Sequence, residues 1–454
     1  MRNHHLSVFA GCLLLSACAS LVRTEYTPPV MDLPANWQNA DVAIAGHVED
    51  AWWQAFQDPR LDDYVALALA RNTDLASAAV SLRRARLNAG LADDALRPQP
   101  GASAGQSVSR NLDGGGISRS YSATVTLSWE ADFWGKLASA RDAAEWEARA
   151  SAEDLENTRL TLIGDTARAY WQLGYLNQRV VLSAQSVGYL ETTRDLAQRR
   201  HAAGAVSRLD LLQAEQSLAT QLASHAQLLQ QREEARTSFR LLFSGALPAA
   251  LEEPQVLPES DLPTLPAELP ASLLQRRPDL RAAELRLRGT LASGDETRLS
   301  YYPGFSLTGS LGSSSDRLRD VLSNPVGALA GELTLPFLRV REMQLKTDVA
   351  RADYELAELA FRKSLYAALG DVENALSARS QYVLSHRLLA RSLVLAREVE
   401  RISELRYRAG AIEMQDWLDA QEKRRSAEVS LAENRFNLLD AQLTLNLALG
   451  GAAR

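Results

Sequence analysis

Between Tyr121 and Phe133 the chain alternates strictly. Tyr121, Ala123, Val125, Leu127, Trp129, Ala131 and Phe133 are apolar, and Ser122, Thr124, Thr126, Ser128, Glu130 and Asp132 fall between them. A period of two is that of a strand with one apolar and one polar face. Small residues alternate more weakly over Ala102–Arg110, and Asn111–Gly116 supplies a Gly-rich turn, so the region predicts a β-hairpin. The second half repeats the pattern. Phe305-Ser306-Leu307-Thr308 starts one strand, Ser313–Ser323 makes a loop, and Leu329 to Phe337 alternates in the other strand.

After each hairpin the pattern becomes helical. Lys136 to about Arg200 and about Val340 to Arg408 contain no proline and are rich in strong helix formers, Ala, Leu, Arg, Glu and Gln. Roughly 65 residues at 1.5 Å each give a helix of about 97 Å. Partner helices follow, from about Arg208 to Ser244 and from Glu413 to Leu449. Gly204 and Gly410 stand where each pair must reverse, as a residue of positive φ past a helix end. Shorter helices come first: Asp58-Pro59 opens one to about Arg71, and Asn72-Thr73-Asp74 caps another to about Leu96. Helices this long cannot bury an apolar stripe inside a compact domain, so they must pack side by side.

The two hairpin regions are copies. Arg200-His201-Ala202-Ala203-Gly204-Ala205-Val206 returns 206 positions later as Arg406-Tyr407-Arg408-Ala409-Gly410-Ala411-Ile412. Arg71-Asn72-Thr73-Asp74-Leu75 likewise matches Arg276-Arg277-Pro278-Asp279-Leu280. Solenoid units repeat every 20 to 50 residues or so, so this period marks a duplicated half-protein instead. Prolines stand at three strand–helix junctions, Pro98, Pro303 and Pro336, and Gly135 at the fourth. Pro248, Pro254, Pro258, Pro263, Pro266 and Pro270 make an extended linker between the halves.

The net charge of −7 supplies no basic face, which argues against nucleic acid as a partner. Leu6–Leu15 is an apolar run too short to span a bilayer, behind a short, weakly basic start, and reads as a signal segment. It ends Leu15-Ser16-Ala17-Cys18. With only Cys12 and Cys18 present, processing leaves one cysteine, so neither a disulfide framework nor a thiolate metal cluster is expected. Gly101-Ala102-Ser103-Ala104-Gly105 has the letters of a nucleophile elbow, but a second strand follows it where that motif needs a helix. The six histidines are scattered, so the sequence predicts no enzyme, metal or cofactor. Trp129 and Trp134 suit a membrane-interface belt, whereas Trp146 and Trp171 suit helix packing.

No other run is apolar enough for a transmembrane helix, so a membrane crossing would have to use strands. Four strands cannot close a barrel, and lipid tolerates no open edge. Either the strands form an ordinary sheet, or several chains pool theirs.

Six separated motifs carry a resemblance covering nearly all of the mature chain. They are the lipobox-like Leu15–Cys18, Trp52-Trp53 with Asp58-Pro59-Arg60-Leu61, Asp132-Phe133-Trp134-Gly135-Lys136, Arg276–Leu280, Tyr302–Gly309 and the paired Ala-Gly-Ala turns. Together they resemble the TolC-like outer-membrane factors, in the lipoprotein branch of OprM and NodT type. The resemblance implies a mostly α fold with a small β part. A transmembrane β-barrel continues into a long-helix α-barrel, with four strands and four long helices per chain, assembled as a homotrimer. The segments would be 1–17, signal; 18–97, equatorial; 98–135, first β-hairpin; 136–245, first helical hairpin; 246–302, linker and second-repeat helices; 303–339, second β-hairpin; 340–454, second helical hairpin.

The resemblance also implies a function. It is the outer-membrane exit duct of a tripartite, RND-type efflux system, passive and non-enzymatic, with a periplasmic adaptor and an inner-membrane transporter as partners. Cys18 would carry the lipid, palmitate included, and Ala19 in place of Asp implies sorting to the outer membrane. Carried over by position after the hairpin glycine, the acidic periplasmic gate falls on Asp419. Gln415 stands one turn earlier, where the branch often has Leu, which implies a polar seal. Asp416 and its equivalent Asp210 are expected to cap their helices. Type I secretion is the alternative within the duct reading, and a periplasmic coiled-coil adaptor is the alternative outside it.

Overall fold

A computed structural model describes residues 23–39, 51–110, 113–114, 116–244, 252–263, 276–323 and 325–451. The signal segment 1–17 and the lipid-bearing Cys18 lie outside the described residues. The chain divides into two units, one of Met1–Met31, Ala79–Asp154 and Arg281–Ser364, the other of Asp32–Ala78, Leu155–Leu280 and Leu365–Arg454.

The first unit holds the sheet. Strands β1 (Gln99–Arg110), β2 (Ile117–Ala131), β3 (Gly304–Ser315) and β4 (Val326–Thr334) lie in chain order, all antiparallel. The central β2–β3 pairing, from Tyr121 with Ser315 to Ala131 with Phe305, joins the two halves of the duplication.

The strand ends differ from the sequence expectation, each for a local reason. β1 starts at Gln99, before Ala102, because Gln99 and Pro100 pair with Ser128 and Leu127. β2 stops at Ala131, short of Phe133: the Asp132 carboxylate turns to accept the backbone N–H groups of Leu137 and Ala138 at 3.1 and 2.8 Å. β3 runs on to Ser315, into the expected loop, because its partners on β2 extend that far. β4 ends at Thr334 and does not reach Phe337, since Pro336 lacks a ladder N–H and begins a 3-10 turn over Pro336–Leu338.

Helix α1 (Pro59–Arg71) starts at Asp58, whose side chain accepts from the N–H groups of Arg60 and Leu61, with proline at the first helical position. Asn72 caps α2 (Thr73–Asp94) by accepting from Asp74 and Leu75 at 2.9 and 3.0 Å. The long helices are α3 (Lys136–Ala202), α4 (Arg208–Leu241), α6 (Val340–Arg408) and α7 (Met414–Ala448). Helix α5 (Pro278–Leu299) stands in the second half where α2 stands in the first. In the first unit it is tied to the start of α3 by the ion pairs Arg281–Glu153, at 2.6 Å, and Arg286–Asp154.

The core of the second unit gathers the 3-10 turn Trp52–Phe56, α1, and the middle of α3 and α7. Phe56 meets Trp171 at 4.8 Å and Tyr64 meets Phe239 at 5.0 Å, ring to ring. Trp171 is fully buried there, as its helix-packing assignment requires. The prolyl stretch 252–263 is bound along this unit: Asn177 donates to the Pro254 carbonyl at 2.8 Å and Arg435 to the carbonyls of Pro258 and Ser260. Gly174 permits that approach, because a Cβ there would lie 3.0 Å from the Val256 carbonyl oxygen.

Candidate functional site

Two regions concentrate features that packing alone does not require. In the sheet, registered pairs share a face, so the pairing decides which residues stand together. Val125, Leu127, Trp129 and Ala131 share one face with Leu311, Gly309, Leu307 and Phe305, and through these with Leu329, Gly331 and Leu333. The opposite face carries Ser122, Thr124, Thr126, Ser128 and Glu130 beside Ser314, Gly312, Ser310, Thr308 and Ser306. Much of the apolar face is exposed, Leu329 at 75 % and Val125 at 57 %, while Ala131 at its end is buried. Strands of 9 to 15 residues suit a tilted bilayer crossing, which needs about nine to eleven. Among the described residues no helix is long and apolar enough to cross a membrane.

The aromatic residues expected at the interface are anchored by their indole N–H groups. Trp129 Nε1 donates to the Leu96 carbonyl at 3.1 Å and Trp134 Nε1 to that of Pro303 at 2.9 Å. Gly105 and Ser103, of the elbow-like motif, lie inside β1 against Ser122 and Thr124, with no helix after them.

The second region is the pair of helix-hairpin tips. Both α3 and α6 end in the same motif. Gly204 (φ +72°) donates to the His201 carbonyl, and Ala205 to that of Arg200. Gly410 (φ +73°) donates to Tyr407, and Ala411 to Arg406. This six-to-one closure with glycine in the left-handed region is why both turns need Gly.

Beyond the glycines the symmetry fails. Ser207 and Asp210 form a reciprocal capping box at the start of α4. The equivalent start of α7 is Glu413, which makes no side-chain cap bond. Asp210 is therefore a cap, whereas the cap expected of Asp416 does not form. The Glu413 side chain is too long to act as the short acceptor that serine provides.

The first turns of α7 are sided. Met414, Trp417, Leu418 and Gln421 are buried with Leu190, Ala197, Ala214 and Leu218 of the first hairpin. Gln415, Asp416 and Asp419 are all exposed, and Gln415 Nε2 donates to Asp419 Oδ1 at 2.6 Å. The three residues assigned to the gate thus share the open side of the helix.

Sequence reasoning missed what holds the tips together. The Tyr407 ring stacks on Trp417, with centroids 5.1 Å apart, and the Arg200 guanidinium lies 4.8 Å from the same ring. Arg200 also donates to the Tyr407 carbonyl at 3.2 Å, linking the first hairpin to the second. Below it, Gln421 donates to Thr193 at 3.3 Å, both side chains buried. Arg424 pairs with Glu400 at 2.5 Å and with Glu428 at 2.8 Å, and Arg397 reaches Glu428 at 3.1 Å. Burial pushes the Glu400 carboxyl above its usual value, and Arg424 pulls it back. The available signal was departure from the repeat: Tyr407 replaces His201, and Trp417 replaces Leu211.

The outer membrane efflux protein family matches residues 64–244 and 269–451, one copy of its pattern per half. The pyoverdine export outer membrane protein OpmQ of Pseudomonas putida is 30% identical over 456 residues, covering 97% of each chain. Toxin and drug export protein A of Aggregatibacter actinomycetemcomitans is 28% identical over 417 residues and 91% of each chain. Among solved structures, the open state of the Neisseria gonorrhoeae MtrE outer membrane channel superposes with a TM-score of 0.86. It is 28% identical, covering 95% of this chain and 98% of that one.

Proposed function

The chain belongs to the outer membrane efflux protein family, and from that premise we propose that three copies form the exit duct of a tripartite, RND-type efflux system. The protein is an outer-membrane efflux channel and a passive one, not an enzyme. The observation that carries the trimer is the sheet. It is apolar on one face and polar on the other, and β1 and β4 are both edge strands. Edges cannot be left open in lipid. Three such sheets pooled edge to edge give twelve strands, an even number wide enough for an aqueous lumen. The apolar face then meets lipid, and the serine and threonine face lines the passage.

The long helical hairpins continue the duct into the periplasm, and their tips face the adaptor and the inner-membrane transporter. Cys18 carries the lipid that anchors the N-terminus in the outer membrane. At the tips, three copies of Asp419, each braced by its Gln415 and flanked by Asp416, form a polar, cation-attracting constriction. The cargo is small molecules delivered by the pump. One relative's name couples toxin with drug export, which makes type I protein secretion the second reading.

The test is assembly and conductance. Purified protein is expected to run as a heat-dissociable trimer and to open ion-conducting channels in planar bilayers. A monomer that stays soluble without detergent and conducts nothing would overturn the duct.

A further inference from the structure

Away from the wall and the tips, one stretch of irregular backbone is held by more polar contacts than its position demands. Arg23–Tyr26 opens the described residues, and Asp142, Glu284, Arg288 and Asp295, which it meets, all belong with it to the first unit. Arg23 pairs with Asp142 of α3 at 2.8 Å. Thr24 donates its backbone N–H to Asp295 Oδ2 at 2.8 Å and its hydroxyl to Asp295 Oδ1 at 2.7 Å. Tyr26 donates to Glu284 at 3.4 Å, and its ring lies 4.5 Å from the Arg288 guanidinium, which also covers Trp146.

Asp295 is the informative residue. It is only 6% exposed, and a buried carboxylate is costly unless its oxygens are satisfied. Arg298 supplies one partner at 2.9 Å, and Thr24 supplies two. Two of its three hydrogen bonds therefore come from a segment that has no helix or strand to hold it. The Arg23 side chain lies over Gly135, the φ +82° residue between β2 and α3, where a Cβ would sit 3.3 Å from Arg23 Nε. The segment thus begins at the end of the sheet. Arg23 is five positions after Cys18, a reach of at most about 18 Å.

We propose that Arg23–Tyr26 is a strap that fixes the lipid-bearing N-terminus to the strand–helix junction, with Asp295 as its positioning residue. This rests on the reading of Cys18 as the lipid-attachment site. The partner surface is the leaflet at the foot of the barrel: the acyl chains enter the membrane within that 18 Å reach and not at the end of a free tether. A docked strap also shields the Arg23–Thr24 bond, because proteolysis acts on the locally opened state.

The experiment uses full-length protein in outer membranes from cells labelled with radioactive palmitate. Trypsin cleavage after Arg23 is followed by loss of label from the protein band and by appearance of the peptide beginning at Thr24. Wild type is expected to keep its label, and Asp295→Ala to lose it roughly tenfold faster or more, as removal of two part-buried hydrogen bonds to a carboxylate implies. Thr24→Val keeps the side-chain size without the hydroxyl and should fall between them. Glu25→Gln, exposed and outside these contacts, should match wild type. Equal cleavage rates for wild type, Asp295→Ala and Thr24→Val in intact trimers would overturn the strap. Absence of label from wild type would overturn the lipid reading instead, and the Thr24 peptide would still decide whether the strap is docked.

Discussion

Asp419 and Gln213 occupy equivalent places in the two copies, six residues after Glu413 and Ser207 respectively, yet only one of them is charged. The difference matters because Asp419 is on the exposed side of α7, open to solvent and to whatever passes it. Its hydrogen bond from Gln415 restrains the side chain. In a trimer the three charges would share one axis, at separations where like charges repel and a cation is attracted. Asp419→Ala is expected to lower the cation preference of the reconstituted channel and to raise its conductance. Channels with unchanged conductance and selectivity would remove Asp419 from the gate.

At the scale of elements, two hairpins of one design end in unequal tips. Both close through glycine in the left-handed region, but only α4 has a capping box. A serine cap contributes about 1 kcal/mol, and its absence leaves orphan N–H groups at the first turn of α7. Ser207→Ala should therefore destabilise the first tip by about 1 kcal/mol. Glu413→Ser should stabilise the second by up to about 1 kcal/mol, because Asp416 already stands at the position that completes the box. Amide hydrogen exchange at the first turns of α4 and α7 reads both: faster exchange in one variant, slower in the other. Slower exchange in neither would mean that the Tyr407–Trp417 stack and Arg200 already fix that end.

For the whole molecule, the face of the sheet is the decisive property. Leu329 on the apolar face and Ser310 on the polar face lie at nearly the same level of the β3–β4 ladder, since Leu329 pairs with Gly309. An arginine facing lipid costs about 2 to 4 kcal/mol near the bilayer middle, and one facing a lumen does not. Leu329→Arg should reduce the yield of heat-dissociable trimer in the outer membrane, while Ser310→Arg should assemble normally and shift conductance towards anions. Equal assembly of the two variants would contradict the assignment of faces.

Much of this protein was legible in its sequence because the governing interactions are local. Alternation over Tyr121–Ala131 fixes a strand and its two faces whatever packs against it, and Asp58-Pro59, Asn72 and the two turn glycines mark helix ends through bonds spanning a few residues. The repeat and its motifs placed the chain in its family. Sequence failed where a local rule met a competing local bond, as at Asp132, which leaves the alternating pattern to cap α3, and at Glu413, which cannot do what Ser207 does. Only tertiary structure decided the contacts between distant segments. Thr24 and Asp295 are 271 residues apart, and Arg200 meets Tyr407 across 207. No periodicity encodes such pairs, because they depend on how the elements pack and which polar groups that packing leaves to be satisfied.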